Sequence, residues 1–333
     1  MQDSPELPGE KTDSHRWRGY ALATLAAVCW ATGGLTAKWI FTQAGPATAA
    51  WRVPPLGFTA DPVTLAGARA LTASIILLGY LLATRSQTLR VRRAELPFLA
   101  FFGIVGLAGV HLTYFQAISH TNVATAILLE YLAPIIVLVV SVLFLGERLT
   151  WTLPAGVVLS VTGCALVVGI ATGEGIVVSS AGLAWGLASA VFFAGYSLMG
   201  RYGAPRFSPW TLLVYGLGFA GVFWLVYLGG PASIIAAFST WQAVATVVFV
   251  AIVSTIVPFA AFLKALHYID PTRATIVATL EPAIAGVAAY ATFGESFDIT
   301  QLAGGVLVLG AIIIVQAPGR AEPAQPFEVP PVG

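Results

Sequence analysis

Two carboxylates, Glu130 and Glu281, stand inside long apolar runs, where an ionised side chain is costly unless it faces a wet cavity or a partner. A carboxyl group withdrawn from water binds a proton more readily, the property required of a proton-coupling group. The same group, when ionised, can hold the ammonium of an amino acid. The competing reading of each is a structural acid satisfied by a neighbouring helix. His111 lies in another apolar run. Histidine titrates near physiological pH, so a His111–Glu130 pair would form a proton relay; a neutral imidazole bonded to a backbone carbonyl is the equal alternative. Tyr114 follows one turn later and could line the same wall. Trp30 and Tyr196 are mid-run aromatics that could wall in a substrate ammonium, or simply pack. Pro134 and Pro282 follow the acids, and each frees a backbone carbonyl in the preceding turn, giving either a hinge or a static kink.

These residues are positioned by apolar stretches. Of 333 residues, 58% are apolar and 9% charged, with a mean hydropathy of +0.86. Soluble domains carry about a quarter charged residues, so the solvent of this chain is lipid. Runs of about 20 apolar residues cross a bilayer as helices with every backbone group bonded internally. Ten are found, at 19–41, 62–84, 96–118, 122–145, 151–171, 180–200, 208–229, 241–267, 272–293 and 299–317. The polar residues 1–18 read as a tail without the features of a secretory signal, so the first run is expected to be retained. Residues 318–333 read as a second, disordered tail. With both ends in the cytoplasm of a cell-membrane protein, 12 of the 16 basic residues fall on the inside and Arg52 alone in an outside loop. On this topology Glu130 is eight residues from the outer side, about 12 Å deep, at 1.5 Å per residue. Glu281 is nine residues from the inner side, about 13 Å deep by the same rise.

The chain repeats itself. A shift of 148 places Ala117 on Ala265, Ala126 on Ala274, Leu132 on Leu280, Pro134 on Pro282 and Gly146-Glu147 on Gly294-Glu295. A shift of 163 places Trp30-Ala31 on Phe193-Ala194 and Lys38 on Arg201. The difference of 15 marks an insertion in the first half, assigned to the Pro/Ala/Gly-rich loop 43–61. The halves are 19–171 and 180–317, each with five spans. An odd number of crossings inverts the second repeat, an architecture that places a substrate site near the midplane and provides alternating access. The acids are not repeat equivalents: Glu130 matches Ala278, and Glu281 matches Ala133.

In each half an apolar span runs through a proline to Gly-Glu-Arg-Leu-Thr (146–150) or Gly-Glu-Ser-Phe-Asp (294–298). With Trp30 and Arg69, this pattern resembles the EamA-like family of the drug/metabolite transporter superfamily. The resemblance implies an all-α bundle of ten helices around a central cavity and export of amino acids or other metabolites coupled to protons. Glu130-Tyr131-Leu132-Ala133-Pro134 and Leu280-Glu281-Pro282-Ala283 also resemble segments of threonine/homoserine exporters. Drugs, nucleosides or amines remain alternative cargo, and a carrier or channel without proton coupling the alternative mechanism. The expected partners are a small-molecule substrate, protons and membrane lipid, with a second copy of the chain left open. No nucleic-acid partner is indicated by the near-neutral charge. Cys29 and Cys164 read as small buried thiols, with no disulfide, metal or cofactor expected. No phosphate loop, metal cluster or nucleophile–base set supports an enzyme.

Overall fold

In lipid the backbone must satisfy its own hydrogen bonds, and this chain does so with helices. The computed structural model describes residues 8–42, 45, 48, 51–120, 123–167, 179–294 and 298–316. Among the described residues there is no strand. The main helices are α1 (Pro8–Phe41), α2 (Pro62–Thr84), α3 (96–120), α4 (123–144), α5 (Thr152–Val167), α6 (Ser180–Gly203), α7 (Pro209–Tyr227), α8 (241–265), α9 (271–293) and α10 (Ile299–Gln316). Their starts follow local chemistry: Asp61, Ser179, Ser208 and Thr240 cap backbone N–H groups of α2, α6, α7 and α8, and proline opens α2 and α7. Among the described residues eight helices, α1–α4 and α6–α9, are long and apolar enough to cross a membrane. Two more apolar stretches, Thr152–Leu166 in α5 and Leu302–Val315 in α10, are shorter. The stretches expected at 151–171 and 299–317 run on into residues outside the described set.

One boundary differs from expectation. α1 begins at Pro8, within the stretch read as a polar tail. Proline suits a first helical turn, and after Gly9 no Pro or Gly interrupts the chain until Gly19. The C-terminal stretch 318–333 lies outside the described residues, as does Glu295-Ser296-Phe297 of the second Gly-Glu motif.

The repeat reappears as packing. α3 packs on α6 as α8 packs on α1, and α4 packs on α6 as α9 packs on α1. α3 likewise packs on α7 as α8 packs on α2, and two further pairs, α2 with α7 and α5 with α10, join equivalent helices of the two halves. Irregularities repeat as well. α3 is π-helical over Phe102–Ala108 and α8 over Ile252–Ile256, and the shift of 148 carries 102–108 onto 250–256. α4 breaks between Val123–Glu130 and Ala133–Phe144, and α9 between Pro271–Ala278 and Leu280–Phe293. Pro134 and Pro282 each fall within the first turn of a second half, where a missing N–H is tolerated.

Close helix approach rests on particular glycines. A Cβ on Gly163 of α5 would lie 2.8 Å from the Gly304 carbonyl oxygen and 2.9 Å from the Val308 nitrogen of α10. Backbone cannot swing aside, so Gly163→Ala is expected to destabilise the bundle by about 1–3 kcal/mol. A thermal melt in detergent measures this, with Gly310→Ala, which meets nothing within 4 Å, as the neutral control. Gly103 likewise allows close approach of α3 to Gly216 of α7, whereas Gly305 and Gly310 of α10 face open space.

Tyr20 near the start of α1 donates to the Val315 carbonyl near the end of α10, so both ends of the described chain meet at one end of the bundle. That termini end carries a polar latch. Arg273, 6% exposed, donates to Tyr20 Oη at 3.1 Å and to the Val315 carbonyl, and lies 3.9 Å from Asp270. Arg201 donates to the Leu266 carbonyl at 2.6 Å and also lies 3.9 Å from Asp270. Glu147, in the connection from α4 to α5, accepts from Thr272 Oγ1 at 2.7 Å. Burial and the neighbouring Asp270 push the Glu147 carboxyl up to about 7. The folded protein therefore binds this proton more tightly than the unfolded chain, and stability falls as pH rises from about 4.5 to about 7. The loss is at most about 3 kcal/mol. Melting temperatures from pH 5 to 8 are expected to decline in the wild type, and Glu147→Gln should flatten this part of the profile.

Candidate functional site

The two helix breaks deliver the two acids to one cavity. Pro134 cannot donate to the Glu130 carbonyl, nor Pro282 to that of Ala278, so α4 and α9 part beside Glu130 and Glu281. The π-helical turn of α3 precedes His111, and that of α8 contains Ser254. π-Turns rotate the following residues relative to the rest of a helix and recur at functional positions. Trp30, Arg69, His111, Tyr114, Glu130, Tyr131, Ser254 and Glu281 all line a cavity with about 100 Å³ accessible to water. Lys38, Phe41 and Ile118 carry its lining toward the end of the bundle opposite the termini.

Each acid is anchored through one oxygen. Ser189 of α6 donates to Glu130 Oε2, and Tyr131 Oη donates to Glu281 Oε2 at 2.7 Å. Tyr131 Oη also lies 3.0 Å from the Ala278 carbonyl, the group that Pro282 leaves without its helical donor. Neither Oε1 has a protein partner, and neither is sealed from water. His111 is paired with Arg69 at 2.6 Å, through Nε2 and Nη2, and not with Glu130. Guanidinium only donates, so Nε2 accepts and the imidazole is neutral with its hydrogen on Nδ1. The expected His111–Glu130 pair is thereby corrected: the bonded partner of the imidazole is Arg69 of α2, while Glu130 is held by Ser189.

Sequence reasoning brought Glu130, Glu281, His111, Tyr114 and Trp30 forward, and all five line the cavity. Tyr196 does not; it is fully buried one layer nearer the termini. There Trp30, Phe193, Tyr196, Phe259 and Phe262 form a stack with neighbouring centroids 5.3–6.3 Å apart, and Phe102 packs on Tyr196 at 5.5 Å. This aromatic plug and the Arg273 latch close the termini end. At the other end residues 51 and 52 pack on α9: Trp51 lies 4.5 Å from Phe293, and the Arg52 N–H donates to the Thr292 carbonyl. Arg69, Ser189 and Tyr131 were not assigned roles from sequence. Arg69 enters the sequence reading only with the family pattern and Tyr131 only within the exporter-like segment, and Ser189 carries no signal of its own.

The EamA-like transporter family matches residues 56–169 and 180–316. A transporter of Archaeoglobus fulgidus described as uncharacterised is 30% identical over 219 residues, 65% of this chain and 74% of that one. A probable terminal-alkyne amino-acid exporter of Streptantibioticus cattleyicolor is 27% identical over 68% of this chain and 75% of its own. The threonine/homoserine exporter RhtA of Escherichia coli is 27% identical over 75% of this chain and 80% of its own. A crystal structure 20% identical in sequence shares the fold, with a TM-score of 0.71 over 89% of this chain and 95% of that one.

Proposed function

The chain belongs to the EamA-like transporter family, a multi-pass membrane transporter rather than an enzyme, and we propose that it exports amino acids or closely related metabolites in exchange for protons. The observation that carries this reading is the pair of carboxylates, one per repeat, each with one anchored and one free oxygen at the same cavity. Two relatives bear the names of amino-acid exporters, which supports the cargo class. The proposed topology is ten spans, as two inverted five-helix repeats with both termini in the cytoplasm. The termini end is then the inner one, and the conformation is outward-facing: plugged and latched inside, with the cavity lining reaching the outer end. Alternating access exchanges this arrangement for its mirror image, with Pro134 and Pro282 as the proposed hinges.

Purified protein in liposomes loaded with labelled L-threonine tests the reading. An acid-outside pH gradient is expected to accelerate efflux, with saturation and with proton uptake in fixed ratio. Saturable flux indifferent to the gradient would remove the proton, and non-saturable flux would favour a channel.

A further inference from the structure

Arg69 brings a positive charge to a cavity already holding two acids, yet it is ion-paired to neither within 4.0 Å. Its one hydrogen bond runs from Nη2 to His111, and its Nε is sealed and unpartnered. Nη1 is also unpartnered but is not sealed from water. His111 cannot neutralise the guanidinium; as an acceptor it only fixes its orientation. The Nδ1–H left on the far side of the ring is a second unpartnered buried donor. The free oxygens of Glu130 and Glu281 line the same cavity, beyond ion-pair distance of Arg69 but close enough to interact with it electrostatically. The cavity thus offers donors with positive charge from Arg69 and acceptors with negative charge from the two acids. A guanidinium held away from bulk water with no carboxylate in direct contact leaves its strongest partner position open, and a ligand anion fills it.

We propose that Arg69 is the carboxylate anchor of a zwitterion site. The cargo's carboxylate docks on Arg69, and its ammonium docks on the free oxygens of Glu130 and Glu281. This rests on the amino-acid exporter reading and narrows it. Recognition requires both charges of the amino acid, which excludes amines and other purely cationic cargo. Guanidinium and carboxylate match in planar geometry and charge, which a neutral ligand oxygen cannot reproduce. The cargo's side chain shares the same cavity. Trp30 and Phe115 line it beside the charged groups and provide apolar cover for that side chain.

Competition against labelled L-threonine exchange in proteoliposomes tests this, using L-threonine, its methyl ester and the decarboxylated amine 1-amino-2-propanol. In wild type, the ester and the amine are expected to compete at least about tenfold more weakly than the amino acid, because each leaves Arg69 without its anion. Arg69→Gln should weaken L-threonine by a similar factor and erase the preference over the amine, and Arg69→Lys should restore part of it. A purely structural role for Arg69 would depress all three ligands together. Equal competition by ester and amino acid in wild type overturns the proposal without any variant, and so does Arg69→Gln with unaltered preference. Failure of wild type to exchange L-threonine, with exchange of the amine instead, would overturn the amino-acid reading itself. L-threonine exchange without carboxylate preference overturns the anchor alone.

Discussion

Glu281→Gln is expected to lose gradient-driven export by about a hundredfold, equivalent to roughly 3 kcal/mol, while exchange without a gradient persists. The reason lies in a single hydrogen. Tyr131 Oη stands 2.7 Å from Glu281 Oε2 and 3.0 Å from the Ala278 carbonyl, and it has one proton to donate. When Glu281 is ionised, the hydroxyl turns to the carboxylate, and the Ala278 carbonyl is left without a full donor. When Glu281 is protonated, its own O–H can donate to Oη, and the tyrosine hydroxyl turns to donate to the Ala278 carbonyl. The protonation state of Glu281 thus decides how firmly the break in α4 is tied to the break in α9. Glutamine copies the neutral acid at every pH: its amide donates to Oη, the tie stays made, and a pH gradient no longer drives the cycle. Glu130→Gln has a different expected outcome. Ser189 can reorient its hydroxyl to suit an amide, so weaker substrate binding is expected with coupling largely kept. Tyr131→Phe should fall between the two. Efflux under imposed gradients, measured beside gradient-free exchange, separates these cases. If Glu281→Gln keeps full coupling and Glu130→Gln loses it, the proton belongs to Glu130; if both keep it, the carrier is not proton-coupled through either acid.

The sequence showed which residues are unusual but not how they pair. Glu130, Glu281 and His111 stand out because charge is rare in apolar runs, and Pro134 and Pro282 because proline removes a donor wherever it sits. Both signals are local, and both break points were legible. The partner of His111 was not: Arg69 is 42 residues away on another helix, and which face of α3 meets α2 depends on the π-helical turn at Phe102–Ala108. That turn has no composition signature, because tertiary packing selects it. Tyr196 was misplaced for a related reason. Depth along a helix can be counted from sequence, but its azimuth cannot, and Tyr196 faces the aromatic plug. Arg273 shows the limit most clearly. Counted from sequence it is one of the basic residues that mark the inside, yet it is buried on groups from the two ends of the chain.

That burial makes Arg273→Gln the second large expected effect. In the latched state Arg273 ties α9 to α1 through Tyr20 and to α10 through Val315, while Asp270 joins it to Arg201 of α6. Three helices from both repeats meet at one guanidinium, and Asp270 links a fourth to it. The mirror position tells the same story by contrast: Lys38, the repeat partner of Arg201, lies over the Phe293 ring and lines the open cavity at the other end. Opening the termini end must break the Arg273 bonds, each worth about 1.5–3 kcal/mol to a charged donor. Glutamine is too short and uncharged to remake them. A carrier whose two states differ by a few kcal/mol would then rest mainly open at the termini end. Thr275, fully buried one turn above Thr272, reports on this. With Cys29 and Cys164 replaced by serine, Thr275→Cys should resist a membrane-impermeant thiol reagent applied from the termini side. Adding Arg273→Gln should raise its labelling rate at least about tenfold. Retained L-threonine exchange would show that the bundle is intact. If Thr275→Cys stays protected in the double variant, Arg273 braces the fold without gating it, and the aromatic plug of Trp30, Phe193, Phe259 and Phe262 holds the inner side closed alone.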